Sequence, residues 1–330
     1  MSDAPHLRPK RYPPPEFPPR KPALFAKTPP AIFPVLLGLI GAGLALKRVL
    51  APFGEVVGLA DLYLGLATGL WLFGAIAYGT KVARRPSVIR DDLQTLPGRA
   101  GLAALGVGAQ LVALVVWNFA PGLAPVVLGL AFALHSLIVV LTVQVLLRAA
   151  PEARGITPVW HLSFVGYIVG ALAAVAVGWT QAATVILGLT VGLAAVIWAV
   201  SVVQLIRRIP PVPLRPLLAI HLSPAALFAS VAMGLGHHQI ALGFLILATL
   251  IFVALLAFGR WITAGDFSAL WGAFTFPAAA YATALAVNGL PSPALILGGA
   301  IAVFNAIIAW KVLKLWPGGR LANKTNAAEA

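Results

Sequence analysis

The chain has 330 residues, 60% of them hydrophobic and only 10% charged, with a formal net charge of +14. A mean hydropathy of +0.95 makes every long apolar run a candidate bilayer span and the chain an integral membrane protein. Cysteine is absent, which excludes disulfides, thiolate nucleophiles and cysteine metal sites together.

Residues 1–28 carry six Lys/Arg and many prolines but no apolar segment of signal-peptide type, so they read as a basic tail in extended polyproline conformations. Apolar runs follow at about 31–46, 56–79, 101–118, 123–147, 159–178, 182–206, 216–236, 239–259, 267–287 and 293–313, each near the ~20 residues that a bilayer core demands. The expected organisation is a tail (1–28), a ten-helix domain (29–316) and a second tail (317–330). An even count of spans puts both termini on one side. Of the 23 Lys/Arg, 21 fall on that side and only Lys47 and Arg48 on the other, which places both termini in the cytoplasm. The net charge therefore reports orientation. Spread over loops and tails without stacking aromatics, it does not form a nucleic-acid face.

Ionisable residues are scarce in the spans. Only Asp61 among the acids approaches one, near the outer end of the second, and no span carries a central Lys or Arg. His135, His161 and His221 are embedded, and none has a second His or a carboxylate three or four residues on. Structural hydrogen bonding and a proton-relay or pore role both stay open for them. His237 and His238 read as a solvated outer loop. No HExxH, GxSxG, P-loop or helix-opening GxGxxG motif occurs, so enzyme chemistry has little to stand on. Neither a metal nor a cofactor is expected.

Prolines concentrate in the odd-numbered spans: Pro34 in the first, Pro158 at the start of the fifth, Pro216 and Pro224 in the seventh and Pro277 in the ninth. Even-numbered spans have only Pro125 and Pro293, at their starts, where proline costs little. Proline inside a span frees a backbone carbonyl, which lipid tolerates only where protein or a wet cavity satisfies it. Odd helices are therefore expected to be kinked and to line something polar, with even helices facing lipid, although Gln144, Gln204 and Asn305 lie on even ones. Glycines such as Gly38, Gly41, Gly43, Gly166, Gly170 and Gly272 crowd the odd helices, which suits close packing and equally an open lumen. In "LWGAFTFPAAAY", Pro277 would free the Ala273 carbonyl and bend the ninth helix. That bend would either aim Phe276 across a lumen, its ring edge blocking a narrow pore without repelling an anion, or leave it a core residue beside an ordinary kink.

Four stretches, in order, resemble one family: "AIFPVLLGLIGAGLAL" in the first span, "ITPVWHLSFVGYIVGAL" at the fifth, "VPLRPLLAIHLSPAA" leading into the seventh and "LWGAFTFPAAA" in the ninth. The family comprises bacterial tellurite-resistance TehA proteins, related C4-dicarboxylate transporters and the slow anion channels of plant guard cells. The resemblance covers about residues 28–315 and implies an all-α protein, five helical hairpins around a central pore, assembled as a homotrimer with one pore per copy. It places the pore phenylalanine at Phe276 and a second pore-region aromatic at Phe33, with Pro34, Pro158, Gly166, Pro224, Gly272 and Pro277 as pore-lining or kink positions. The third span departs from the pattern, since Pro97 is followed by "GRAGLAALG" without an aromatic. The expected function is an anion channel of the inner (plasma) membrane passing small inorganic or organic anions. The alternative is a secondary carrier of C4-dicarboxylates or other organic anions.

Overall fold

The computed structural model describes residues 23–330, and their secondary structure is entirely helical. The basic tail expected over 1–28 lies outside the described residues as far as residue 22. The main helices are α1 (Phe33–Leu50), α2 (Val57–Arg84), α3 (Val88–Gln94), α4 (Leu96–Phe119), α5 (Ala124–Arg148), α6 (Tyr167–Ala176) and α7 (Thr180–Arg207). They continue as α8 (Leu222–Gly234), α9 (His238–Ala257), α10 (Gly259–Ile262), α11 (Thr275–Val287), α12 (Pro291–Leu313) and α13 (Arg320–Thr325).

Eight helical segments among the described residues are long and apolar enough to cross a membrane, and the first of them, Pro30–Arg84, runs for 55 residues. That segment is not a single rod: Phe53 and Gly54 leave helical geometry, Gly54 at φ 61°, and separate α1 from α2. A shorter apolar stretch, His161–Ala176, joins a π-helical turn (His161–Val165) to α6. The chain is a multi-pass helical membrane protein.

Burial divides the helices into two classes. The apolar windows of α4 and of Val212–Gly234 are 78% and 83% buried, whereas those of α5, α7 and α9 are 28%, 28% and 17% buried. The outer helices turn rows of large apolar side chains outward, such as Val126, Leu130 and Leu137 on α5 and Leu242, Ile246, Leu250 and Val253 on α9, as a surface solvated by lipid tails requires. The inner helices touch in a closed circuit, α1 to α4, α4 to α6, α6 to α8, α8 to α11 and α11 back to α1. Each also packs on the helix that follows it across an outer turn: α2, α5, α7, α9 and α12 respectively.

Three of those outer turns use one device. α6, α8 and α11 end at Gly178, Gly236 and Gly289, with φ of 87°, 80° and 83°. In each, the next residue's N–H returns to the carbonyl five positions back: Trp179 to Ala174 at 2.8 Å, His237 to Ala232 at 2.8 Å and Leu290 to Leu285 at 2.9 Å. This is the Schellman closure, in which a left-handed residue satisfies carbonyls that the helix end would leave bare. A side chain at any of the three glycines would strain it.

The basic end of the molecule holds a buried ion pair outside the expected spans. α2 extends to Arg84, past the run that ended near residue 79, and this draws Lys81 inside. The Lys81 and Asp92 side chains are both 0% exposed and pair at 2.9 Å. Lys81 also donates to the Thr28 carbonyl at 3.0 Å, and the Tyr78 hydroxyl donates to Asp92 Oδ2 at 2.9 Å. The second carboxylate oxygen accepts from the Ala328 N–H at 2.8 Å. Residues 317–330, expected as a tail, thus fold back through α13. The Ala330 N–H donates to the Ala26 carbonyl at 3.2 Å, and Lys27 meets Glu329 at 3.3 Å. At the opposite end Lys47, one of the two basic residues of that face, pairs with Asp61 at 2.5 Å and lies over the Phe119 ring at 4.5 Å.

Candidate functional site

Four of the five inner helices do not begin as α-helix. A 3-10 turn (Pro30–Ile32) precedes α1, the π-helical turn precedes α6, and longer 3-10 segments, Val212–His221 and Ala269–Phe274, precede α8 and α11. This revises the reading of the prolines as kinks. Pro34, Pro224 and Pro277 are the second or third residues of α1, α8 and α11, within the first turn, where a missing N–H breaks no bond. They mark where each inner helix starts at depth, after a stretch of irregular backbone. Pro158 lies ahead of the π turn.

Irregular backbone at membrane depth must be satisfied by protein, and neighbouring helices supply the groups. His135 of α5 donates from Nε2 to the Ser163 carbonyl inside the π turn at 3.1 Å. Gln110 of α4 accepts from the Gly170 N–H through Oε1 at 2.6 Å. Asn305 of α12 donates to both the Gly38 and Thr275 carbonyls, at 2.9 and 3.1 Å, and so stitches α1 to α11 beside Phe276. The Thr275 hydroxyl donates to the Gly272 carbonyl at 2.7 Å, with the Pro34 carbonyl as an alternative acceptor at 3.2 Å. Asn305→Leu would remove both bonds between the helices and is expected to cost about 1–3 kcal/mol. A thermal melt in micelles checks this, and an unchanged midpoint would remove the stitch from the account.

Two small cavities lie between the inner helices. The lower, about 20 Å³, is lined by residues from all five inner segments, among them Pro34, Ala100, Leu162, Ile220 and Ala273. The upper, about 10 Å³, is lined by Val107, His161, Gly166, Pro224, Leu227 and Phe276, and the two share Leu162 and Ile220. A single water needs roughly 10–15 Å³ on such a measure, so this axis is closed to any hydrated ion. The side chains along both cavities include no Lys, Arg, Asp or Glu. His161 and Ser223 are the polar ones.

Phe276 borders the upper cavity at 5% exposure, and its ring rests on α1 where Gly41 leaves room: a Cβ on Gly41 would stand 3.0 Å from the ring's Cδ2. Gly166 and Pro224 face the same cavity, and Pro34 faces the lower one. The remaining expected positions lie elsewhere. Phe33 turns toward α2, edge-on to Tyr78 at 6.1 Å and against Gly74, and borders neither cavity. Gly272 packs on α1, where a Cβ would meet Pro34 and Val35 at 3.1 Å. Pro158 lines a separate cleft of about 800 Å³ beside the last turns of α7.

The histidines also meet partners that their spacing hid. His161 Nε2 and His221 Nδ1 are 2.9 Å apart, 60 positions apart in the chain, so one imidazole donates to the other. The Trp198 indole N–H donates to the His221 carbonyl at 3.3 Å. No group of three or more His, Cys, Asp or Glu among the described residues is placed to hold a metal ion.

Residues 27–315 match the family model described as voltage-dependent anion channel. None of the curated proteins matches the chain.

Proposed function

Because the chain belongs to the voltage-dependent anion channel family, we propose that it is an anion channel in which α1, α4, α6, α8 and α11 surround the path and Phe276 closes it. Counting Pro30–Arg84 as two spans because of its break at Gly54, and the shorter His161–Ala176 as one more, supports the ten spans of the sequence reading. With the closed circuit of inner helices, they support five hairpins around a pore. That circuit is complete within one chain, so each copy of the proposed homotrimer carries its own path. The distribution of Lys/Arg supports a plasma (inner) membrane setting with both termini cytoplasmic.

One observation carries the reading: the Phe276 ring borders an uncharged axis whose remaining spaces, about 10 and 20 Å³, hold at most about one water each and no hydrated ion. Anion preference then has a source other than fixed charge. α8 and α11 begin at Leu222 and Thr275, beside Ser223, Pro224 and Phe276, so the positive ends of their α-helical dipoles lie at the middle of the path. Such dipoles favour an anion without trapping it, as flow requires. Proteins of this family are channels or transporters, not enzymes. A dicarboxylate carrier would call for a polar binding chamber, and no side-chain arrangement on the axis favours it.

The absence of cysteine makes the path directly testable. In a Phe276→Ala background, Ala273→Cys lines the lower cavity, and a bulky methanethiosulfonate added from the cytoplasmic side is expected to cut the current by at least about tenfold. Leu66→Cys, on the lipid-facing side of α2 and 63% exposed, should be labelled without effect. Confirmed labelling of Ala273→Cys with undiminished current would place the path elsewhere.

A further inference from the structure

A recess of about 440 Å³ lies apart from the axis, between α3, the start of α4 and the end of α5. Three arginines line it, Arg90, Arg99 and Arg148, with the amides of Gln94 and Gln144. The arginines come from three different helices, so chain proximity does not account for their meeting. Among the described residues none of the three makes an ion pair. The acids of α3 are engaged elsewhere, Asp91 with Arg85 and Asp92 with Lys81, and Glu152 does not line the recess. Arg99 is half-buried and held in place by Nη1 bonds to the Leu93 and Gln94 carbonyls at 3.3 and 3.4 Å.

Orientation in a membrane explains why arginines occur on this face. It does not explain three of them around one recess with two amides and no carboxylate, an arrangement whose self-repulsion calls for a bound anion. Guanidinium forks match the geometry and charge of a phosphate, and glutamine amides add neutral donors. The outward face of α5 is apolar through Leu137, Val140 and Leu147 and ends at Arg148 beside the recess, the place where a bilayer would present its headgroups.

We propose that the Arg90–Arg99–Arg148 recess is a phosphate-binding site, filled by the phosphodiester of an inner-leaflet anionic lipid or by a soluble phosphorylated anion. It shares no residue with the axial cavities, yet Arg99 stands on the same turn of α4 as Pro97 and Ala100, which border the lower one. An occupied recess would therefore hold the first turn of an inner helix in place.

The test uses the full chain in phosphatidylcholine nanodiscs and follows thermal midpoints in two arms: titration with inorganic pyrophosphate, and stepwise replacement of phosphatidylcholine by phosphatidylglycerol. Wild type is compared with Arg99→Gln/Arg148→Gln, and Arg260→Gln serves as a charge control outside the recess. Wild type and the control should respond to at least one probe with an apparent affinity about tenfold or more above that of the double variant. A response to phosphatidylglycerol alone assigns the site to a lipid, and a response to pyrophosphate assigns it to a soluble anion. If the double variant does not fold, Arg90→Gln, an exposed α3 position, must weaken the response instead. Equal responses in wild type and variants, or no response to either probe, would overturn the proposal.

Discussion

Phe276→Ala is expected to raise anion conductance in planar bilayers by at least about tenfold over wild type, with the fold retained. The ring borders a space of about 10 Å³ whose other lining side chains are Val, Ile, Leu, Gly, Pro, Ser and His, so truncating it enlarges the upper of the two axial cavities. The same substitution separates a plug from a packed core residue. A phenylalanine whose main role is packing leaves a cavity worth about 3–5 kcal/mol of lost stability when cut to Ala, and no new current. A ring that fills a path should lose less stability and open the path. Large destabilisation with unchanged current would return Phe276 to the core.

Asp92→Ala is expected to be the most damaging single change at the basic end, lowering stability by about 3–5 kcal/mol in a micelle unfolding assay. It would leave the fully buried Lys81 ammonium without its counter-charge, and would strip an acceptor from the Tyr78 hydroxyl and the Ala328 N–H. Lys81→Met/Asp92→Leu, which removes both charges, should recover much of the loss, because a buried pair is far more sensitive to losing one partner than to losing both. Since Asp92 also anchors the backbone of residue 328, the single variant should expose the C-terminal segment to protease. A loss below about 1 kcal/mol would mean that water reaches the pair.

Apolar runs of span length, the Lys/Arg bias and the clustering of prolines made the membrane class and the inner and outer helices legible before any coordinates, because those features follow from the bilayer itself. The Schellman closures at Gly178-Trp179 and Gly236-His237 rest on a left-handed glycine that hydropathy does not mark. The prolines are interpreted only in part from the sequence: at Pro224 and Pro277 a helix starts, and the 3-10 segments before them differ, Val212–His221 holding Pro213 and Pro216 and Ala269–Phe274 holding no proline, so no single proline rule announces them. Polar contacts between distant segments were the least legible. Asn305 with Gly38, His161 with His221 and Lys81 with Asp92 and Ala328 join positions that no spacing rule connects. Asn305 stood out as a polar residue on an outer helix, and its partners are backbone carbonyls, which look alike at every position of a sequence. Phe33 shows the converse: one residue from Pro34 on a helical start, it turns to α2 while Pro34 faces the axis.

The most direct measurement is the reversal potential of the Phe276→Ala current in a planar bilayer under a potassium chloride gradient, with chloride then exchanged for nitrate and for malate. A path of helix dipoles and uncharged walls predicts a reversal near the chloride equilibrium potential that shifts on each anion exchange. A reversal near the potassium potential, or no current from folded protein, would contradict an anion path closed by Phe276.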